Sequence, residues 1–486
     1  MARGVVAAGH PLTARAGADV LRAGGNAVDA AVASVLTSVA AEPLLTGFGG
    51  GGYLLAAPPG RDPVLLDFFV TAPGRDVDPA ARQPLLPVDI SFGDAVQAVK
   101  VGSASCGVPG LPAGLAAALG RFGTMKLADL ARPAAALARS GFRVTAQQAG
   151  LFAVLAPILR SSPEARAMYL TDDRPPAEGT LLVAPDLAAS LDRYGEEGAE
   201  PFYAGELAAR IVGVTGGQVT AADLAAYEVV EREPVRVHYR GREVFTNPPP
   251  SAGGLLVAYA LAVLARTEGP PGDAALAEAM LAAQDARTGE FFTDLPSPGF
   301  AARFLGSRLG STTHISVLDD DGWACAVTCS NGEGSGVIVP GTGVQLNNMM
   351  GEEDLSPAGF FTHAPGDRLP SMMAPTVVRR DGRAELVVGS AGSKRIRSTL
   401  LQVIVNAVDR ELPAQEAVDA PRLHVDDGVV YAEPGIDARA LEALGHVVTR
   451  FRDRNLFFGG CQAAELSGEV FSGGGDPRRG GAVAYA

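Results

Sequence analysis

The sequence changes texture once, at residue 312, and that change constrains the fold more than any single motif. Between 110 and 300 the chain reads mainly helical, in segments such as "LPAGLAAALGRFG", "KLADLARPAAALARSG" and "GGLLVAYALAVLART", punctuated by Gly and Pro. From 312 it reads as strands and turns: "THISVLDDDGWACAVTCS", "GVIVPGTGVQLNN" and "TVVRRDGRAELVVGSAGS", with one more helix near 396–410. Strands also come early. "PVLLDFFV" (63–70) is one, a hairpin spans 235–254, and residues 12–42 form one or two helices broken at Gly24-Gly25-Asn26. A helix-rich first part that holds a few strands, followed by a strand-rich second part, predicts two interleaved halves of one layered αββα core. The glycine run in "TGFGGGGYLLA" (46–56) is not a GxGxxG turn opening a helix, so it is read as a place where two backbones approach closely.

Composition narrows the function classes. The 486 residues carry 40 basic and 54 acidic side chains, a net charge of −14, with no basic cluster. A phosphate backbone would be repelled, which argues against nucleic acid. Four cysteines lack zinc spacing and read as small buried apolar residues. Phosphate, metal and flavin signatures are missing, so no cofactor is expected. "MARGVVAAGHPLTA" has no apolar core of signal-peptide length, and no run of 18 apolar residues exists, so the expectation is a cytoplasmic chain without a membrane partner.

Thr312-Thr313 opens the first strand of the second half. In that strand Thr312, His314, Ser316 and Leu318 share one face, and Thr313, Ile315 and Val317 the other. Asp319-Asp320-Asp321-Gly322 is a turn, and "WACAVTCS" returns as the partner strand. A five-residue connection sets Thr312 opposite Ser330; a four-residue one sets it opposite Cys329. A threonine hydroxyl is a weak nucleophile and needs a base. If the chain cuts itself between Ser311 and Thr312, the freed α-amino group, with a pKa near 8, becomes that base. His314 has no partners at triad spacing and is read as a packed strand residue.

Seven stretches in order, "AGGNAVDAAVA", "GFGGGGYLL", "NPPPSAGG", "TTHISVLDDDG", "PGTGVQLNN", "RLPSMMAPT" and "GSAGSKRI", resemble the γ-glutamyltranspeptidase family of self-processing N-terminal-nucleophile hydrolases, essentially end to end. The resemblance implies a four-layer αββα sandwich and autocleavage into a large subunit (1–311) and a small one (312–486). It implies an acyl-enzyme on Thr312, acting on a small-molecule acyl substrate. The two fragments form a heterodimer, alone or paired into a dimer of heterodimers. The family's oxyanion hole uses the backbone N–H groups of a Gly-Gly pair, which here reads Gly392-Ser393. Its second hydroxyl near the nucleophile matches Ser330, and Asn331 follows it in the substrate pocket.

The substrate side departs from the family. The arginine that holds the γ-glutamyl carboxylate is replaced by Phe69 in "DFFVTAP", and a phenyl ring cannot fork onto a carboxylate. Arg75 reaches back only if its loop folds so. The paired serines that help hold the carboxylate read Ser371-Met372, and the acid that binds the α-amino group falls to Glu352 or Asp354. The expected activity is therefore acyl hydrolysis with weak action on glutathione. The bond broken is an amide, or an activated C–C bond as in relatives from actinobacterial alkylproline pathways. The alternatives are an authentic γ-glutamyl transferase or glutathione hydrolase, and a non-catalytic homologue.

Overall fold

The computed structural model describes residues 2–91, 96–285, 313–356, 358–426 and 428–486. Ser311 and Thr312, and with them the expected cleavage site, lie outside these residues.

Two antiparallel sheets make the centre. The larger runs, edge to edge, Ala482–Tyr485, Gly4–Ala8, Thr313–Asp319, Ala324–Ser330, Gly51–Ala57, Val64–Phe68 and Val230–Arg232. The smaller runs Val470–Gly475, Gly460–Ser467, Arg383–Ala391, Thr376–Arg380, Arg242–Thr246 and Val235–Tyr239. Each sheet takes strands from both sides of residue 312, which is the interleaving expected from the change of texture.

Period-two alternation sorts the side chains into layers. Val6, Leu54, Ile315, Val317 and Val327 face outward and pack with helices Pro11–Arg22 and Ala27–Ala41. Val5, Leu55, Leu65, Leu318 and Ala326 face inward and meet Phe245, Val377 and Val387 of the second sheet. Val244, Val378 and Val388 then face the helices Gly253–Leu264 and Arg395–Val408. This is the αββα sandwich. The helix Ala27–Ala41 is buried along its whole length, which its all-round apolar sequence requires. Asn26, the residue after the expected glycine break, caps it in a reciprocal pair with Asp29.

All four cysteines are buried thiols. Among the described residues no helix is long and apolar enough to cross a membrane. Among the elements that escaped the sequence reading are the central strand Gly4–Ala8, the edge strand Val230–Arg232, and a hairpin of Leu86–Ser91 with Val96–Val101.

Candidate active site

The hairpin after residue 312 pairs Thr313 with Cys329 and Leu318 with Ala324. That is the five-residue connection, the register in which Ser330 is the partner expected for Thr312. Asp319 holds the turn, accepting from the backbone N–H of Trp323 (2.8 Å) and of Ala27 (2.8 Å).

Partners across a sheet project to one face, so the register lays out rows. His314, Thr328, Tyr53 and Asp67 are successive partners and form a polar row. Two residues along, Ser330 pairs with Gly51, and Phe69 lies two residues beyond Asp67 on the same inner face. The glycine run makes this crossing possible. A Cβ on Gly50 would collide with the Ser330 carbonyl, one on Gly52 with the Thr328 carbonyl, and one on Gly49 with the Gln345 carbonyl. His314 is a packed strand histidine: Nδ1 meets Thr328 Oγ1 at 2.6 Å and Nε2 meets Ser316 Oγ at 2.9 Å. Burial lowers its pKa to about 3, so it stays neutral.

Ser330 is buried and its Oγ accepts from the Gly332 N–H at 2.7 Å. Asn331 is buried with its carboxamide wedged between Gly47 and Gly50, and its Oδ1 meets no donor. Glu352 Oε1 lies over Gly332, so the acid is brought to the loop that follows Ser330. Asp354 belongs to the short turn Glu353–Leu355; its side chain lies outside what is described.

The ring of Phe69 is only 1% exposed and stacks on Tyr53, with centroids 5.5 Å apart. Two arginines bear on the position where the resemblance expects a cation. Arg368 binds the Phe69 carbonyl, Tyr227 Oη (2.7 Å), the Glu228 carbonyl (2.6 Å) and Asp67 (3.3 Å). Arg75 is exposed, with its guanidinium against Gly366, so its loop does not fold back. Ser371 is buried, and its Oγ accepts from the Met373 N–H at 2.9 Å. Met372 points the other way, into the helix-side core with Ala252 and Leu255.

Gly392 and Ser393 form a turn just before the helix Arg395–Val408. Both have positive φ, 129° and 56°. A Cβ on Gly392 would sit 2.7 Å from the Gly459 Cα, so this position needs glycine for space as well as conformation.

Three groups were missed in the sequence. Glu42, the acid in "VAAEPLL", is buried beneath the hairpin and accepts from Thr13 Oγ1 (2.7 Å) and Thr313 Oγ1 (3.3 Å). Burial raises its pKa to about 7, against the lowering effect of the two hydroxyls. Tyr53 is fully buried, with its hydroxyl beside Ser371. Arg479, the second arginine of "DPRR", lies beside Gly392. Only the isolated acid in an apolar run and the doubled arginine were visible as signals.

The comparisons with known proteins agree with this fold. A family model described as gamma-glutamyltranspeptidase matches residues 13–297 and 296–486. The acylase ACY 1 proenzyme of Pseudomonas sp. strain SE83 is 36% identical, over 92% of this chain and 88% of its own length. The glutathione hydrolase proenzyme of Escherichia coli K12 is 32% identical, over 87% of this chain and 81% of its own. The crystal structure of cephalosporin acylase from Bacillus halodurans superposes with a TM-score of 0.83 at 27% identity, covering 99% of this chain and 96% of that one.

Proposed function

The chain belongs to the γ-glutamyltranspeptidase family and is a hydrolase of the N-terminal-nucleophile class, and from that premise we propose that Thr312 is its nucleophile and that its acyl donor is not γ-glutamyl. The chain cuts itself between Ser311 and Thr312, giving fragments 1–311 and 312–486. The freed α-amino group accepts the Thr312 hydroxyl proton as Oγ attacks the substrate carbonyl. The backbone N–H groups of Gly392 and Ser393 bind the oxyanion, and the helix that starts behind them favours negative charge there. Ser330 hydrogen-bonds the nucleophile. The leaving group departs with the proton, and water then attacks the acyl-threonine ester and restores the hydroxyl. The same attack serves a C–C bond whose leaving carbanion is stabilised, as in a 1,3-diketone.

Phe69 carries the proposal on specificity. It stands where the carboxylate clamp belongs, sealed into an aromatic stack, and neither Arg75 nor Arg368 restores the charge. A second reading, a γ-glutamyl hydrolase, has one observation in its favour: Glu352 lies at the loop after Ser330, where it suits an α-amino group.

The test is a mass map of the purified protein together with a panel of 4-nitroanilides. A fragment beginning TTHISV is expected, and Thr312→Ala should remain one inactive chain. The butyryl anilide should be cleaved at least about tenfold faster than the γ-glutamyl anilide, since a carboxylate desolvated without its charged hydrogen bond forfeits roughly 1.5–3 kcal/mol. Uncut protein that turns over substrate overturns the mechanism. Preference for the γ-glutamyl anilide overturns the specificity and leaves the second reading.

A further inference from the structure

Arg479 ends the turn Pro477–Arg479, and its guanidinium makes no hydrogen bond and no ion pair among the described residues. Its stem lies over Gly460, where a Cβ would come within 2.7 Å of its Cβ and Cδ. Its Nη2 reaches 3.3 Å from the position of a Cβ on Gly392. Two glycines without side chains therefore leave the slot that carries this arginine to the oxyanion turn. Its Nε is buried and unpartnered.

The neighbouring acid is already engaged. Asp476 accepts from Arg422 (2.7 Å), Arg478 (3.3 Å) and the Cys461 N–H (2.8 Å). Burial, with Arg395 nearby, lowers the Arg479 pKa to about 10, which leaves it charged at neutral pH. More cations gather around the turn. Lys394, Arg395 and Arg397 open the helix with no acid in its first turn, and of these Lys394 pairs with Asp426 at 3.2 Å. This local excess occurs in a chain of net charge −14. The Nε of this half-buried guanidinium has no acceptor, which is costly, and a carboxylate is the partner its fork fits.

We propose that Arg479 binds a carboxylate of the substrate beside Gly392, so that the charge lost at residue 69 is supplied from the C-terminal turn on the opposite flank of the site. The inference deepens the acyl-hydrolase reading above and rests on it. It names the substrate class: an acyl compound carrying a carboxylate, on either the acyl part or the leaving group.

The experiment compares the full-length protein with its Arg479→Gln and Arg479→Lys variants on three donors. Glutaryl-4-nitroanilide carries the charge on the acyl side, N-butyrylglycine on the leaving side, and butyryl-4-nitroanilide carries none. In Arg479→Gln the preference for one charged donor over the neutral one should fall about tenfold or more, through KM rather than kcat, and Arg479→Lys should recover part of it. The donor that responds identifies the side on which the carboxylate lies. Free glutarate should raise the melting temperature of Thr312→Ala protein, and adding Arg479→Gln should abolish that rise. Equal losses on all three donors, or a lower melting temperature of the ligand-free variant, would show that Arg479 only braces the turn and overturn the proposal. A chain that stays uncut and inactive on every donor sinks the acyl-hydrolase reading instead, while the glutarate shift still decides whether Arg479 is an anion site.

Discussion

Ser393 holds φ at 56°, a left-handed conformation that an L side chain adopts at a cost. Glycine adopts it freely, so Ser393→Gly keeps the backbone of this turn while removing the hydroxyl. Turnover should persist, because the proposed donor is a backbone N–H; loss of turnover would assign a role to the hydroxyl. Glu42 sets a pH dependence. Its folded pKa of about 7 lies above the ordinary 4.5, so the folded state binds more protons between those values. Stability from this group is full at low pH and is lost as pH rises through 7, by about 3 kcal/mol. Glu42→Gln should flatten that slope when unfolding midpoints at pH 5 and pH 8 are compared; an unaltered slope would mean that the carboxyl is already ionised in the fold. At Tyr53 the buried hydroxyl has Ser371 as its one neighbouring hydroxyl, so Tyr53→Phe should change stability by no more than about 1 kcal/mol. A clear loss of stability would reveal a buried water bound there.

Among elements, the hairpin Thr313–Ser330 and the strand Gly51–Ala57 beside it set the geometry of the site. The glycines before and within that strand are steric requirements. Gly50→Ala should destabilise by about 1–3 kcal/mol or prevent self-cleavage, because its Cβ meets the Ser330 backbone as well as the Asn331 carboxamide, and the backbone cannot swing aside. Expression followed by a denaturing gel is the check, and a normally processed, equally stable variant would refute it. The same sheet makes Phe69→Arg more than an exchange of ligands. The ring is part of the inter-sheet core, so the substitution breaks its stack with Tyr53 and buries a charge. A loss of about 2–4 kcal/mol is expected alongside any gain in γ-glutamyl preference, and an unchanged unfolding midpoint would place the side chain outside the core.

At the scale of the molecule, each sheet is built from both sides of residue 312. Gly4–Ala8 and Gly51–Ala57 flank the hairpin on either side, so cutting the chain removes one covalent bond and none of these ladders. The two fragments should therefore co-elute in native size-exclusion chromatography and separate only in denaturant. Dissociation under native conditions would contradict the interleaving.

What the sequence determined by itself is local. Alternation assigned the faces of Thr313–Asp319 and the acidic turn placed the hairpin, because periodicity and turn chemistry act over a few residues. The register of the hairpin stayed open, since four- and five-residue connections are both sterically allowed until Gly51–Ala57 packs alongside. Contacts across long stretches of chain were decided only by the tertiary structure. Glu42 meets Thr313 from 271 positions away, and Arg479 reaches Gly392 over a glycine at 460. Met372 turns from Ser371 because adjacent residues face opposite layers. No short-range pattern encodes such meetings; they follow from the stacking of two sheets whose strands come from both ends of the chain.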